Sequence, residues 1–269
     1  MVINAKGGTV RVGGEEMEYI TFGNGSRYLV MIPGLGDGLQ TVKGFAIPFS
    51  LLYRQYAKKF QVFVFSRKNR ISENYSTRDM AKDLMEAMEQ MGIRNADIVG
   101  VSQGGMIAQY LAIDYPQVVN KLVLVVTTAR PNETIRNVLH HWIEMAKAGD
   151  YKGIFMDTAE KSYSEKYLKR NRWIYPLMGR IGKPKNFDRF IIMAKACLSH
   201  NAIEELDHIK CPALIIGGED DKIVTGNASV EISEKISGST LFMYERLGHG
   251  LYEEAKDFNS RVLSFLDQD

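Results

Sequence analysis

The chain has 269 residues, 45% of them hydrophobic and 25% charged, proportions of an ordinary globular protein long enough to bury a large core. Its formal net charge of +2, without any block of lysine and arginine, gives no electrostatic footprint for a nucleic-acid partner. The two cysteines, Cys197 and Cys211, lack C-x-x-C spacing, which argues against a disulfide framework or a zinc site.

No apolar leader stands in Met1–Lys6, and no apolar run approaches the roughly 18 residues that cross a bilayer. A soluble, cytoplasmic protein without membrane contact is therefore expected.

In chain order, Tyr28–Ile32 is a short apolar run closed by Pro33-Gly34, the pattern of a buried strand. Gln61–Phe65, Ala96–Gly100 and Lys121–Val126 repeat it. Continuous Val/Ile/Leu runs mark strands covered on both faces, as in a parallel sheet. Between the second and third, Thr77–Met91 places Met80, Leu84, Met88 and Met91 on one helical face. Ser76 or Thr77 is available as the N-cap of that helix and Gly92 as its C′ residue. This alternation predicts an α/β fold, a mostly parallel sheet flanked by helices.

From about Arg130 to Glu205 the pattern changes to helical segments: Glu133–Lys147, Glu165–Met178 and Phe187–Leu198. Strand and helix then resume with Pro212–Ile216, Ala228–Ile236, Ser239–Tyr244 and a closing amphipathic helix, Leu251–Leu266. The domain reading is a core of residues 1–128 and 206–269, interrupted by a helical cap, or lid, over 129–205.

Gly100-Val101-Ser102-Gln103-Gly104 matches G-x-S-x-G, and its position carries more weight than the match. It follows one predicted strand and opens the helical pattern Gly105–Asp114. A tight strand-to-helix turn of this kind strains the central residue and crowds its neighbours, so glycines flank it. The serine hydroxyl then stands at the carboxyl edge of the sheet, beside the positive end of a new helix.

On these residues the chain resembles the α/β-hydrolase superfamily over nearly its whole length. Gly100–Pro116 (GVSQGGMIAQYLAIDYP) is similar to the elbow and following helix of small bacterial esterases, enol-lactone hydrolases and carbon–carbon bond hydrolases. The resemblance implies that Ser102 is the nucleophile. Relatives such as dehalogenases and epoxide hydrolases use aspartate there instead.

Of the five histidines, His249 in Leu247-Gly248-His249-Gly250 follows the last predicted strand, where the resemblance places the base. His140 and His141 are adjacent and so point apart. They, His200 and His208 read as surface or core residues. The acid comes from Glu219-Asp220-Asp221, with Asp221 in the implied position and Asp220 as the alternative. Thr225 stands where relatives often have proline.

Oxyanion donors are implied at the backbone N–H of Gln103 and, from Pro33–Asp37, that of Leu35. Pro33 replaces a histidine frequent in relatives.

Such a site implies a serine hydrolase of small esters, lactones or related carbonyl compounds, working through an acyl-enzyme without metal or organic cofactor. Carbon–carbon bond hydrolysis, perhydrolysis and hydroxynitrile lysis use the same groups, and a non-catalytic small-molecule binding protein on this fold is the reading from another class.

In the cap, Trp142, Trp173, Met145, Tyr167, Tyr175 and Met178 are candidates to line a substrate pocket or to pack the cap on the core. Residues 129–205 carry 14 Lys/Arg against 9 Asp/Glu, a basic surplus that points to a carboxylate on the substrate or to a solvated face.

Overall fold

An eight-stranded sheet organises the chain, with strands ordered β1-β2-β4-β3-β5-β6-β7-β8. The structure is a computed structural model and describes residues 4–171 and 182–268. Strands β1 (Lys6–Val12) and β2 (Glu15–Phe22) form an antiparallel hairpin, and β2 pairs antiparallel with β4 (Phe60–Lys68). From β4 onward every pairing is parallel, through β3 (Arg27–Ile32), β5 (Ala96–Val101), β6 (Val119–Val125), β7 (Ala213–Gly218) and β8 (Thr240–Tyr244).

The apolar runs are explained by two cores, one on each face of the sheet. In β3, Val30 and Ile32 join one core while Leu29 and Met31 join the other; Ile98 and Val99 divide likewise in β5. With period 2 and both faces covered, a strand has no polar side to show. After the short α1 (Ala46–Leu52), the helices α2 (Thr77–Gln90) and α3 (Gln103–Asp114) contribute to the first core, and the C-terminal segment Phe258–Leu266 to the second.

Helix α2 follows its sequence closely. Met80, Leu84 and Met88 are buried, and Ser76 closes a capping box with Asp79. At its end Gly92 has φ +71°, and the N–H groups of Gly92 and Ile93 return to the carbonyls of Glu89 and Met88. That is a Schellman ending, which needs the left-handed residue that glycine supplies.

Among the described residues, four α-helices lie between β6 and β7: α4 (Glu133–Lys147), α5 (Tyr151–Ser162), α6 (Glu165–Asn171) and α7 (Asp188–Ser199). The remainder of the expected Glu165–Met178 helix, beyond Asn171, lies outside the described residues, as do Trp173, Tyr175 and Met178. α5 had no counterpart in the sequence reading. It starts at the Asp150 cap, whose carboxylate accepts the Gly153 N–H at 2.8 Å, and few of its side chains are buried. A helix with so narrow an apolar stripe leaves a weak periodic signal.

Two further departures concern the ends of the chain. The hairpin β1–β2 was not read from the sequence, although its Gly13-Gly14 turn, with φ +58° and +85°, is the type I′ geometry that two glycines favour. The closing helix is not continuous. After α8 (Gly226–Lys235) and β8 come α9 (Leu251–Glu254) and α10 (Phe258–Leu266), separated at Ala255, which is extended at φ −77°, ψ 116°. The break frees α9 to face the turn between α5 and α6, where Glu253 accepts from Tyr163 at 2.6 Å and Glu254 accepts the Ser164 N–H at 2.8 Å. Meanwhile α10 packs on the sheet.

Sheet order sets where the loops after the central strands lie. The chain leaves β3 towards β4 on one side and leaves β5 towards β6 on the other, so the loops after these adjacent strands diverge. Their carboxyl ends are the switch point, the place at which open α/β sheets generally bind ligands.

Candidate active site

Ser102 stands at that point, between β5 and α3. Its backbone is held at φ +54°, ψ −120°, a strained conformation for a residue with a side chain. Tight packing enforces the turn. A Cβ at Gly104 would strike the carbonyl of Ile32, and one at Gly100 would meet the backbone of Gly104 and Gly105. The Ser102 N–H is tied to Val125 O at 2.9 Å, and its carbonyl accepts from Thr127 Oγ1 at 2.7 Å. Thr127 thus supports the elbow, a role the sequence reading did not give it.

His249 Nε2 lies 2.9 Å from Ser102 Oγ, and His249 Nδ1 lies 2.7 Å from Asp221 Oδ2. The other carboxylate oxygen, Oδ1, accepts the N–H groups of Ile223 at 2.8 Å and Val224 at 3.0 Å. The turn after β7 therefore fixes the carboxylate before it meets the imidazole. Asp221 and His249 are 6% and 8% exposed, which shields both pairs from water, whereas Asp220 is exposed.

The acid and base loops also hold each other. The N–H of Asp220 donates to Leu247 O at 3.0 Å and that of Glu219 to Tyr244 O at 3.0 Å. From the other side, Gly250 N–H donates to Ser162 O at 2.8 Å, so the end of α5 lies against the His249 loop.

With a carboxylate accepting at Nδ1, the imidazole keeps its proton there and offers Nε2 to the serine hydroxyl. This arrangement is able to remove a proton from Ser102 and return it to a leaving group.

Leu35 and Gln103 each open a helical turn, so their N–H groups fall among those that a helix's own ladder leaves free. A Cβ at Gly34 would lie 3.3 Å from Ser102 Cβ, which shows how closely the loop after β3 passes the serine.

Arg67, near the end of β4, is a second residue missed from sequence. It is buried at 3% exposure and reaches both the Pro33 carbonyl and, at 3.1 Å, Gln103 Oε1. Burial pushes its guanidinium pKa down, against the attraction of Asp37.

The remaining candidates fall elsewhere. Trp142 is 5% exposed and donates from Nε1 to Asp157 Oδ2 at 2.6 Å, pinning α4 to α5; Met145 is half-buried against the core. Tyr167 stacks on Tyr163 with ring centres 4.5 Å apart. Trp173 lies outside the described residues.

His140, His141 and His208 are exposed, and His200 is a buried core residue bonded to Thr77 Oγ1 at 2.9 Å and Gln109 Oε1 at 3.3 Å. Burial raises the Cys197 thiol to about 12 and that of Cys211 to about 11, far from the range of a reactive thiolate. Among the described residues no helix is long and apolar enough to cross a membrane.

Residues 28–256 match the family model described as the alpha/beta hydrolase fold. The chain is an α/β hydrolase.

Among curated relatives, this hydrolase is 25% identical over 209 residues to a putative carbamate hydrolase RutD of Caulobacter sp. (strain K31), covering 73% of this chain and 74% of that one. It is 26% identical over 194 residues to a 2-hydroxy-6-oxononadienedioate/2-hydroxy-6-oxononatrienedioate hydrolase of Pseudomonas sp., covering 66% and 65%. Among solved structures, the enol-lactonase from Burkholderia xenovorans LB400 superposes with a TM-score of 0.83 at 19% identity, covering 97% of this hydrolase and 100% of that chain. MGS-M2, from a Medee basin deep-sea metagenome library, gives a TM-score of 0.83 at 23% identity, covering 97% and 98%. At those identities the structural likeness is one of fold.

Proposed function

We propose that this hydrolase cleaves a small ester, lactone or related carbonyl substrate, with Ser102 as nucleophile, His249 as general base and Asp221 as the orienting acid. The observation that carries the reading is the chain of contacts from Ser102 Oγ to His249 Nε2 at 2.9 Å and from His249 Nδ1 to Asp221 Oδ2 at 2.7 Å.

In the reaction, Ser102 Oγ bonds to the carbonyl carbon while its proton passes to His249 Nε2. The oxyanion is held by the N–H groups of Leu35 and Gln103 and by the positive end of α3. The imidazolium, stabilised by Asp221, then protonates the departing group, and the bond to that group breaks. Water deprotonated by His249 clears the acyl-enzyme and restores Ser102. Helices α4–α7 are read as the cap over this centre.

Turnover of para-nitrophenyl acetate and butyrate, measured beside Ser102→Ala, tests the reading. Activity lost in the variant is the expected result; equal rates in both proteins would contradict it.

Carbon–carbon bond hydrolysis is the second reading, favoured by the meta-cleavage type of relative named above, and the carbamate hydrolase relative extends the range of carbonyl compounds to compare. A substrate panel with an ester, a lactone, a carbamate and a vinylogous diketone separates these chemistries by kcat/KM. Tight ligand binding without turnover of any of them, retained in Ser102→Ala, would favour a binding protein instead.

A further inference from the structure

Arg67 is hard to explain by stability. Its Nε and Nη1 have no hydrogen-bond partner among the described residues, and its neighbour Arg189 shares with it the single carboxylate of Asp37. A buried cation so incompletely paired costs stability rather than adding it. An apolar side chain there would leave Asp37 and Arg189 as a one-to-one pair, with Nη2 2.6 Å from Oδ2.

The bonds that Arg67 does make have a common destination. Nη2 donates both to Pro33 O, two residues before Leu35, and to Gln103 Oε1 at 3.1 Å, on the residue after Ser102. One nitrogen thus touches both segments that carry the oxyanion donors. At the far end of the first segment, the Arg67 N–H donates to Asp37 Oδ2 at 3.0 Å. On the other side of the second, Gln103 Nε2 donates to Met193 O at 2.8 Å and Cys197 Sγ at 3.0 Å, both on α7. Gln103 is 1% exposed, so its amide is not free to reorient into water.

We infer that Arg67 is a positioning residue for the oxyanion hole, fixing the spacing between the Leu35 and Gln103 N–H donors through Pro33 and the Gln103 amide. The inference rests on the proposed roles of those two donors. Oxyanion donors act only when aimed in advance at the site of the developing charge, and a displacement of about 1 Å is enough to lose much of their effect.

The test measures kcat, KM, thermal midpoint and the affinity of a trifluoromethyl ketone, which forms a tetrahedral adduct, for Arg67→Met, Arg67→Lys and Gln103→Leu. Since the donors are displaced rather than removed, Arg67→Met is expected to lower kcat by about 10–100-fold, short of the loss of a whole donor. KM should stay within about twofold, and ketone affinity should fall with kcat/KM. The thermal midpoint should hold or rise, as expected when an incompletely paired buried charge is removed.

Arg67→Lys, which keeps the charge but not the fork, should recover part of the rate. Gln103→Leu keeps its backbone N–H and should reproduce the defect, and combining it with Arg67→Met should add little.

An unchanged kcat in Arg67→Met, or a loss that merely follows a fall in thermal midpoint, would overturn the positioning role while leaving the hydrolase site intact. Should Arg67→Met fail to fold, Arg67→Lys and Gln103→Leu decide between the same outcomes. If the wild type showed no Ser102-dependent turnover, the proposed site would fall, and the role of Arg67 with it.

Discussion

At the scale of single residues, the decisive contrast is between Asp220 and Asp221, adjacent carboxylates in different surroundings. Asp221 is buried with Oδ1 held by two backbone N–H groups, while Asp220 faces solvent. Asp221→Asn should therefore lower kcat by about 10³–10⁴-fold, by favouring the wrong imidazole tautomer, with Asp220→Asn close to wild type. Steady-state rates on one ester check this, and the reverse order would move the acid to Asp220.

Legibility at this scale depends on what constrains a residue. The turn at Ser102 could be read from sequence because the elbow needs glycine in fixed places, and the nearness of His249 to it, at 2.9 Å, because the resemblance sets that histidine just after the last strand. Arg67 could not. Its partners, Pro33, Asp37 and Gln103, lie at least 30 residues away, and two of its acceptors are a backbone carbonyl and a side-chain amide. Such contacts leave no spacing to recognise.

At the scale of elements, His200 joins three helices. It ends α7, bonds Thr77 at the start of α2 and bonds Gln109 in α3. Burial lowers its pKa from 6.5 to about 3, so the folded protein holds it neutral where the unfolded chain takes up a proton. Its contribution is therefore intact above pH 6.5 and is lost as pH falls from there towards 3. The slope is at most about 1.4 kcal/mol per pH unit. Denaturation midpoints of wild type and His200→Gln should converge as pH falls through this window; parallel curves would contradict the linkage.

Elements with a broad buried face, such as α2 and the parallel strands, were legible because burial imposes a period. Strand β1 and α5 were not, because each buries little and leaves mostly polar residues in view, and in β2 the glutamates set among its buried residues blur the apolar pattern. The split between α9 and α10 was hidden for another reason: the amphipathic pattern runs through it, while the bonds of Glu253 and Glu254 to the α5–α6 turn are not visible in sequence.

At the scale of the whole molecule, the divergence of the loops after β3 and β5 follows from strand order, and the segment between β6 and β7 supplies helices that touch the Ser102 and His249 loops. Sequence conveyed this alternation of strand and helix, because parallel strands need crossover connections. It did not convey which insertion residues face the site, since Trp142 proves to be bonded within the insertion and Trp173 lies outside the described residues.

The insertion's basic surplus gives a prediction of its own, even though Lys147, Lys161 and Lys169 are paired with nearby carboxylates. An ester bearing a free carboxylate should show a higher kcat/KM than a neutral ester of equal size, with the advantage shrinking as salt is added. Equal values at low salt would reduce the surplus to a solvated face.

The central claim, that Ser102 forms a covalent acyl intermediate, is tested most directly by mass spectrometry of the protein quenched during turnover of para-nitrophenyl butyrate. A single butyryl addition on the peptide containing Ser102, absent from Ser102→Ala and longer-lived in His249→Ala once that variant has been acylated with an activated ester, is the result expected. Turnover with no adduct at Ser102, or an adduct on another residue that survives in Ser102→Ala, would contradict it.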